Sequence, residues 1–172
     1  AREDRFVFRL PLVEALAGYL SLALSPEQLR DPGALMPMFA QPTCFVPREV
    51  LAGLVQRLAD TQTWPGPGDA LLARLKPHQK RTLKRRWQLL CELPKLAHLS
   101  ADALLEHVVA EVEAEKVLKR AASRRDKGEE DVRLLDVLIE QAREVGDIAT
   151  FIELLRRPCL LYTSDAADEE DS

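Results

Sequence analysis

Apolar residues in this chain recur three and four positions apart, and prolines cut the pattern into segments about one helix long. Such spacing gathers side chains on one face of an α-helix, whereas a half-buried strand alternates every second residue. No segment shows clean period-two alternation flanked by hairpin turns. The first run, residues 12–24, offers Leu12, Leu16, Tyr19, Leu20 and Leu24 on overlapping faces, with Pro11 where a first helical turn tolerates proline. Ser25 and Pro26 end it, because the residue before a proline avoids the α region. Ser25 can N-cap a short helix through Leu29, and Asp31 with Pro32 can cap another from Gly33 to Phe39.

Pro47, at a first-turn position, opens a helix with the stripe Val50, Leu51, Leu54, Val55 and Leu58. A turn-rich linker at residues 64–69 leads to Asp69, a plausible cap for residues 70–75. A long helix is predicted over 77–90, with Leu83, Trp87 and Leu90 inward and a break at Pro94. Ser100 caps the next, which buries Leu104, Leu105, Val108, Val109 and Val112. Residues 129–145 bury Val132, Leu135, Leu138 and Ile139, and residues 147–156 offer Ile148, Phe151, Ile152 and Leu155. The expected fold is all-α, an irregular multi-helix bundle of about eight helices without internal repeat.

At 172 residues the chain can bury one good core and not two. Aromatic residues make up only 5%, so that core must be built from Leu, Val and Ala. No apolar run approaches the roughly 20 residues needed to cross a bilayer, and no basic-then-apolar signal opens the sequence. A cytoplasmic protein without a membrane partner is expected. Cys44, Cys91 and Cys159 are far apart, with no Cys-x-x-Cys and no histidine at zinc spacing. They read as small apolar side chains in a reducing compartment.

Chemistry is sparse. Neither a phosphate-binding Gly-x-x-x-x-Gly-Lys-Ser/Thr nor a Gly-x-Gly-x-x-Gly occurs, so no segment is built to cradle a triphosphate. His78, His98 and His107 fall on different segments. His107 has Glu111 four residues on, which can form a surface pair or share a metal, but a third ligand is lacking and no metal site is expected. No nucleophile elbow surrounds Ser21, Ser25, Ser100 or Ser123, and no catalytic residue is expected. Two basic stretches remain. Lys76, Lys80, Arg81, Lys84, Arg85 and Arg86 crowd one helix, with Trp87 in its apolar stripe. Lys116, Lys119, Arg120, Arg124, Arg125 and Lys127 form the second. Each is either a solvated face or a phosphate-contacting one, and each phosphate contact adds roughly one unit to the salt slope of binding. Trp87 reads as core.

The order of features over residues 12–58 adds a resemblance. An apolar helix carries Gly18, Tyr19 and Leu20, Ser25 and Pro26 break it, and a short Leu-Met-Phe run leads to Gln41, Pro42 and Thr43. A new helix then opens at Pro47, Arg48, Glu49, Val50 and Leu51. This resembles the start of subdomain 2B in UvrD/Rep-type (superfamily 1A) ATP-dependent DNA helicases. Residues 80–93 are similar to that family's middle helix. Arg133, Asp136, Glu140 and Ala142, followed by Ile148, Phe151 and Ile152, are similar to its closing helices. The resemblance spans nearly all of residues 1–158.

It implies a helical domain, residues 1–158, truncated at both ends, that regulates an ATP-dependent 3′–5′ DNA helicase in repair, replication or recombination. Such a domain does no chemistry itself. ATP and Mg²⁺ would bind between RecA-like domains of the same longer chain, and a DNA junction would be the partner. A free-standing helical adaptor that binds protein is the other reading. The family's Gly-Ile-Gly, which lets backbone approach duplex phosphates, is here Phe45, Val46 and Pro47, which removes conformational freedom and one N–H donor. Cys44 and Ser21 stand where the family carries arginines. Thr43, Arg48 and the helix start beside them therefore remain as DNA contacts in this loop, together with Lys80, Arg81, Lys84 and Arg85.

Residues 159–168 resemble one translated frame of a common sequencing adapter. The native sequence is thus expected to end near Pro158, with residues 159–172 a non-native or disordered tail. Without the tail's Asp165, Asp168, Glu169, Glu170 and Asp171, the formal net charge moves from −4 to +1, so mild acidity does not argue against a nucleic-acid partner.

Overall fold

The computed structural model describes the backbone of residues 2–122 and 128–157, and the side chains of residues 11–120 and 132–157. Among these, regular structure is wholly helical: α1 (Arg2–Leu24), α2 (Pro32–Ala40), α3 (Arg48–Thr61), α4 (Ala70–Ala73), α5 (Pro77–Glu92), α6 (Ala101–Glu111), α7 (Ala114–Ala122), α8 (Gly128–Val145) and α9 (Ile148–Arg156). Two 3-10 turns, Pro26–Arg30 and Leu93–Leu96, join them. The all-α expectation holds. Arg124, Arg125 and Lys127 of the second basic stretch, Ser123, and residues 158–172 with their adapter-like segment lie outside the described residues.

α1 forms the spine of the bundle. It packs on α2 at one side, on α6 and α9 at another, and touches the 3-10 turn before α6. Leu16, Tyr19, Leu20 and Leu22 are fully enclosed, so both the predicted face and its neighbours are core. Leu24 is the exception, lying exposed at the helix end. The helix also runs through Pro11 instead of starting there. One proline removes a single N–H from the ladder, which bends or weakens a helix without always ending it.

α2 and α3 pack as a pair beside α1, and α6, α7 and α8 form a second cluster that α9 ties back to the spine. The α3 stripe of Val50, Leu51, Leu54, Val55 and Leu58 is buried as its spacing requires, as are Leu83, Trp87 and Leu90 of α5. Pro47 is the residue before the first helical one, a position earlier than expected. Capping is uneven. The Asp31, Asp69 and Asp147 carboxylates accept from the backbone N–H groups of Gly33 (2.9 Å), Leu71 (3.0 Å) and Thr150 (2.9 Å). Ser25 and Ser100 occupy cap positions without a side-chain cap bond. Ser21 instead accepts from Gln28 Nε2 at 3.0 Å.

α7 is the element that sequence periodicity missed. Residues 114–122 read only as part of a basic stretch, yet they form an amphipathic helix whose Ala114 and Leu118 are buried. α6 ends at Glu111 with Val112 as its C-cap, and Glu113 then takes a left-handed turn (φ 52°) that redirects the chain into α7. A left-handed Glu carries no sequence signal of the kind Gly provides.

Candidate nucleic-acid interface

Loop 41–47 is held against α5 by two buried side chains of that helix. Arg86 is 3% exposed, and its Nη1 donates to the carbonyl oxygens of Pro42 (2.8 Å) and Phe39 (3.1 Å) and lies 3.3 Å from Cys44 Sγ. Gln79, also buried, accepts from the Lys76 N–H (2.9 Å) through Oε1. Its Nε2 donates to the carbonyls of Phe45 (3.2 Å) and Cys44 (3.5 Å). Below them the Tyr19 hydroxyl donates to Met38 O and to Gln41 O (3.2 Å), so α1 also fixes the start of the loop. Burial pushes the Tyr19 phenol and the Cys44 thiol up in pKa, against the nearby Arg86 charge that pulls both down.

Arg86 therefore does not belong to the exposed basic face, solvated or phosphate-contacting, in which the sequence grouped it. The signal was present: Arg86 lies three residues after Leu83 and four before Leu90, inside the apolar stripe. No ion pair compensates its charge among the described residues, and its Nε has no hydrogen-bond partner. A buried guanidinium without a carboxylate is costly unless its donors are used, and here backbone carbonyls use one of its nitrogens.

Phe45 is the second residue that sequence reasoning undervalued. It is 70% exposed with φ 57°, the left-handed region that a glycine occupies without strain. The absence of glycine at residues 45–47 thus does not exclude left-handed backbone there. A phenylalanine adopts it, with its N–H donating to Thr43 Oγ1 at 3.1 Å and its carbonyl held by Gln79.

The predicted contacts separate into two groups. Thr43 and Arg85 line one groove of about 170 Å³ with Phe45, His78, Thr82 and Arg86 on one side and Glu111, Glu113, Lys116 and Arg120 on the other. Arg85 is not free in it. Its guanidinium lies 3.4 Å from Glu113 and 4.0 Å from Glu111, while Lys116 also approaches Glu113 at 3.6 Å. Lys80, Arg81 and Lys84 lie outside this groove, Arg81 and Lys84 exposed on α5 and Lys80 half-buried beside them, and no ion pair engages them among the described residues. Arg48 is exposed at the first turn of α3 and does not line the groove.

The histidine expectation needs a correction. His107 Nε2 lies 3.2 Å from Glu92 Oε1 at the end of α5, and not against Glu111, which faces Arg85. Tertiary proximity between α5 and α6 here overrides the i, i+4 relation within α6. Among the described residues no group of three His, Cys, Asp or Glu side chains could hold a metal ion, and no helix is long and apolar enough to cross a membrane.

Fold and site together define an all-helical domain with one cationic helix face and a pinned, aromatic-bearing loop beside it. Compared with protein-family models, curated proteins and solved structures, the chain matches none.

Proposed function

We propose that this chain is a DNA-engaging accessory domain of the 2B kind, from a UvrD/Rep-type ATP-dependent DNA helicase, with α5 as its phosphate-facing surface. The supporting observation is the arrangement of Lys80, Arg81 and Lys84. They lie on one side of α5, Arg81 and Lys84 exposed and Lys80 half-buried, and no carboxylate neutralises them among the described residues. Solvated basic faces in proteins without anionic partners are commonly laced with such pairs, as Arg85 is here. Uncompensated cations on a rigid helix release counterions when they meet phosphates, and that is the main source of affinity for nucleic acid.

In this reading the chain regulates unwinding and performs no hydrolysis. Its residues do not fit an ATP or Mg²⁺ site, because no glycine-rich loop precedes a helix with the Lys-Ser/Thr that such a site requires. Those groups belong to RecA-like domains of the same longer polypeptide. Binding of the purified chain to forked DNA across a salt series tests the proposal. Lys80→Glu, Arg81→Glu and Lys84→Glu together should flatten the salt dependence and weaken binding; indifference to the triple change would reduce this arc to a solvated face. The genomic reading frame gives a second test, since a phosphate-binding loop should be encoded upstream in frame.

The protein-binding adaptor remains a second reading because one observation favours it. An exposed phenylalanine beside internally paired charges is also how a protein interface presents an anchor. Failure to bind any DNA, with retention of a folded and monomeric chain, would move the assignment to that class.

A further inference from the structure

Two of the non-glycine residues with left-handed backbone, Phe45 and Glu113, line the groove between loop 41–47 and the α6–α7 junction. Neither conformation is demanded by a glycine or an asparagine, and such outliers persist only where surrounding contacts hold them. At Phe45 those contacts are explicit. Thr43 takes the N–H, Gln79 holds the carbonyl, and Arg86 fixes Pro42 three residues earlier. The ring itself is left out in solvent at 70% exposure. The loop thus fixes its backbone with two buried polar side chains while one aromatic ring stays uncovered.

What lies beside the ring sets the ligand chemistry. Apart from Arg120, the groove contains three cationic side chains, Arg85, Arg86 and Lys116, against two carboxylates, Glu111 and Glu113, which engage Arg85 and Lys116. Arg86 is more than nine-tenths buried, and among the described residues no carboxylate pairs with it; its unpartnered Nε is itself sealed from solvent. A flat π-face next to an excess of positive charge suits a ligand that carries an aromatic ring and an anion one bond system apart. An unpaired nucleotide is such a ligand: its base stacks on an aromatic ring without regard to sequence while its phosphate meets the cations.

We propose that Phe45 is a stacking platform for an unpaired base, and that the adjoining groove takes the phosphate of the same strand. The inference rests on the nucleic-acid reading above and adds a single-strand contact to the duplex-facing arc of α5. The two surfaces are distinct, so their failures are distinguishable.

The test uses the purified chain with oligothymidylate of about ten nucleotides, a length within single-strand site sizes, and with a blunt duplex. Phe45→Ala should weaken oligothymidylate binding about tenfold, the loss expected for one stacked base, and leave blunt-duplex binding unchanged. Phe45→Trp should restore it. A 5-iodouracil oligothymidylate should photocrosslink to Phe45 in the peptide spanning residues 41–47. Phe45→Ala retaining wild-type oligothymidylate affinity, or a crosslink mapping elsewhere, overturns the stacking platform. If the duplex still answers to Lys80, Arg81 and Lys84 in that case, the α5 surface stands alone. Absence of salt-dependent binding to either DNA overturns both.

Discussion

Arg86 reaches from the buried side of α5 to donate 2.8 Å to the carbonyl oxygen of Pro42, fixing the loop that joins α2 to α3. The same nitrogen serves Phe39 O at the end of α2, so one guanidinium joins three segments. Its consequences can be measured.

Arg86→Met should destabilise the chain. It strands the Pro42 and Phe39 carbonyls, each costing about 1–3 kcal/mol when buried without a partner, and the gain from removing a buried charge offsets part of that. A net loss of about 2 kcal/mol is expected, read as a lower urea midpoint with an unchanged slope. Arg86→Lys should recover little, because an ammonium cannot reproduce a planar, forked donor set. A variant more stable than wild type would mean that desolvation of the charge outweighs the clamp.

Phe45→Gly should raise stability slightly. A left-handed L-residue costs about 1–2 kcal/mol, whereas glycine in an ordered segment loses roughly 0.5–1 kcal/mol of extra chain entropy. Since the ring is mostly exposed, little apolar burial is lost. Thermal unfolding should show a small increase in Tm, and Phe45→Val a decrease, because a β-branched residue fits the left-handed region worse. A clear fall in Tm for glycine would show that the ring is held by packing.

Lys84 and Arg85 adjoin on α5 and should behave differently. Lys84→Gln should reduce the salt slope of DNA binding by about one unit. Arg85→Gln should do less, because Glu113 and Glu111 already engage that guanidinium. Both pairs are half exposed, so Arg85→Gln should shift stability by less than about 1 kcal/mol. Fluorescence anisotropy at several salt concentrations separates the two.

Acid should unfold the chain partly through its helix caps. The Leu71 N–H, then the Arg57 guanidinium at 2.6 Å, hold the Asp69 carboxyl below its ordinary value of 3.8. The Thr150 hydroxyl and N–H do the same for Asp147. Both folded pKa values lie below the unfolded ones, so their stabilisation is complete above the unfolded value and fades as pH falls through the folded one. The urea midpoint should drop as pH is taken from about 5 toward 2. Asp69→Asn and Asp147→Asn should each flatten that drop; an unchanged pH profile in the double variant would place the acid sensitivity elsewhere.

The apolar stripes of α3, α5, α6 and α9 were readable because a core-facing helix must repeat its apolar residues every three or four positions. Asp31 and Asp69 were readable as caps because a short carboxylate before an apolar run has one good use, whereas Asp147, read as the first residue of its helix, caps it instead. α7 was not. Its residues 114–122 mix lysines with a single buried leucine, and the turn that starts it depends on Glu113 adopting a conformation its side chain does not advertise. His107 illustrates the same limit, since its partner Glu92 comes from another helix that only packing brings near.

The candidate interface divides along the same line. Sequence placed Lys80, Arg81, Lys84 and Arg85 on one helix, since a period of 3.6 residues fixes angular position without reference to anything else. Which of those cations is free depends on what packs opposite, and the α6–α7 junction supplies Glu111 and Glu113 to Arg85 alone. Nothing in the sequence marks Phe45 as left-handed. Tertiary structure decided that its backbone takes that conformation, because Arg86 and Gln79, distant in sequence, hold the loop with hydrogen bonds. Local periodicity determines the helices and their faces; long-range packing decides which polar groups are spent inside the fold and which remain for a partner.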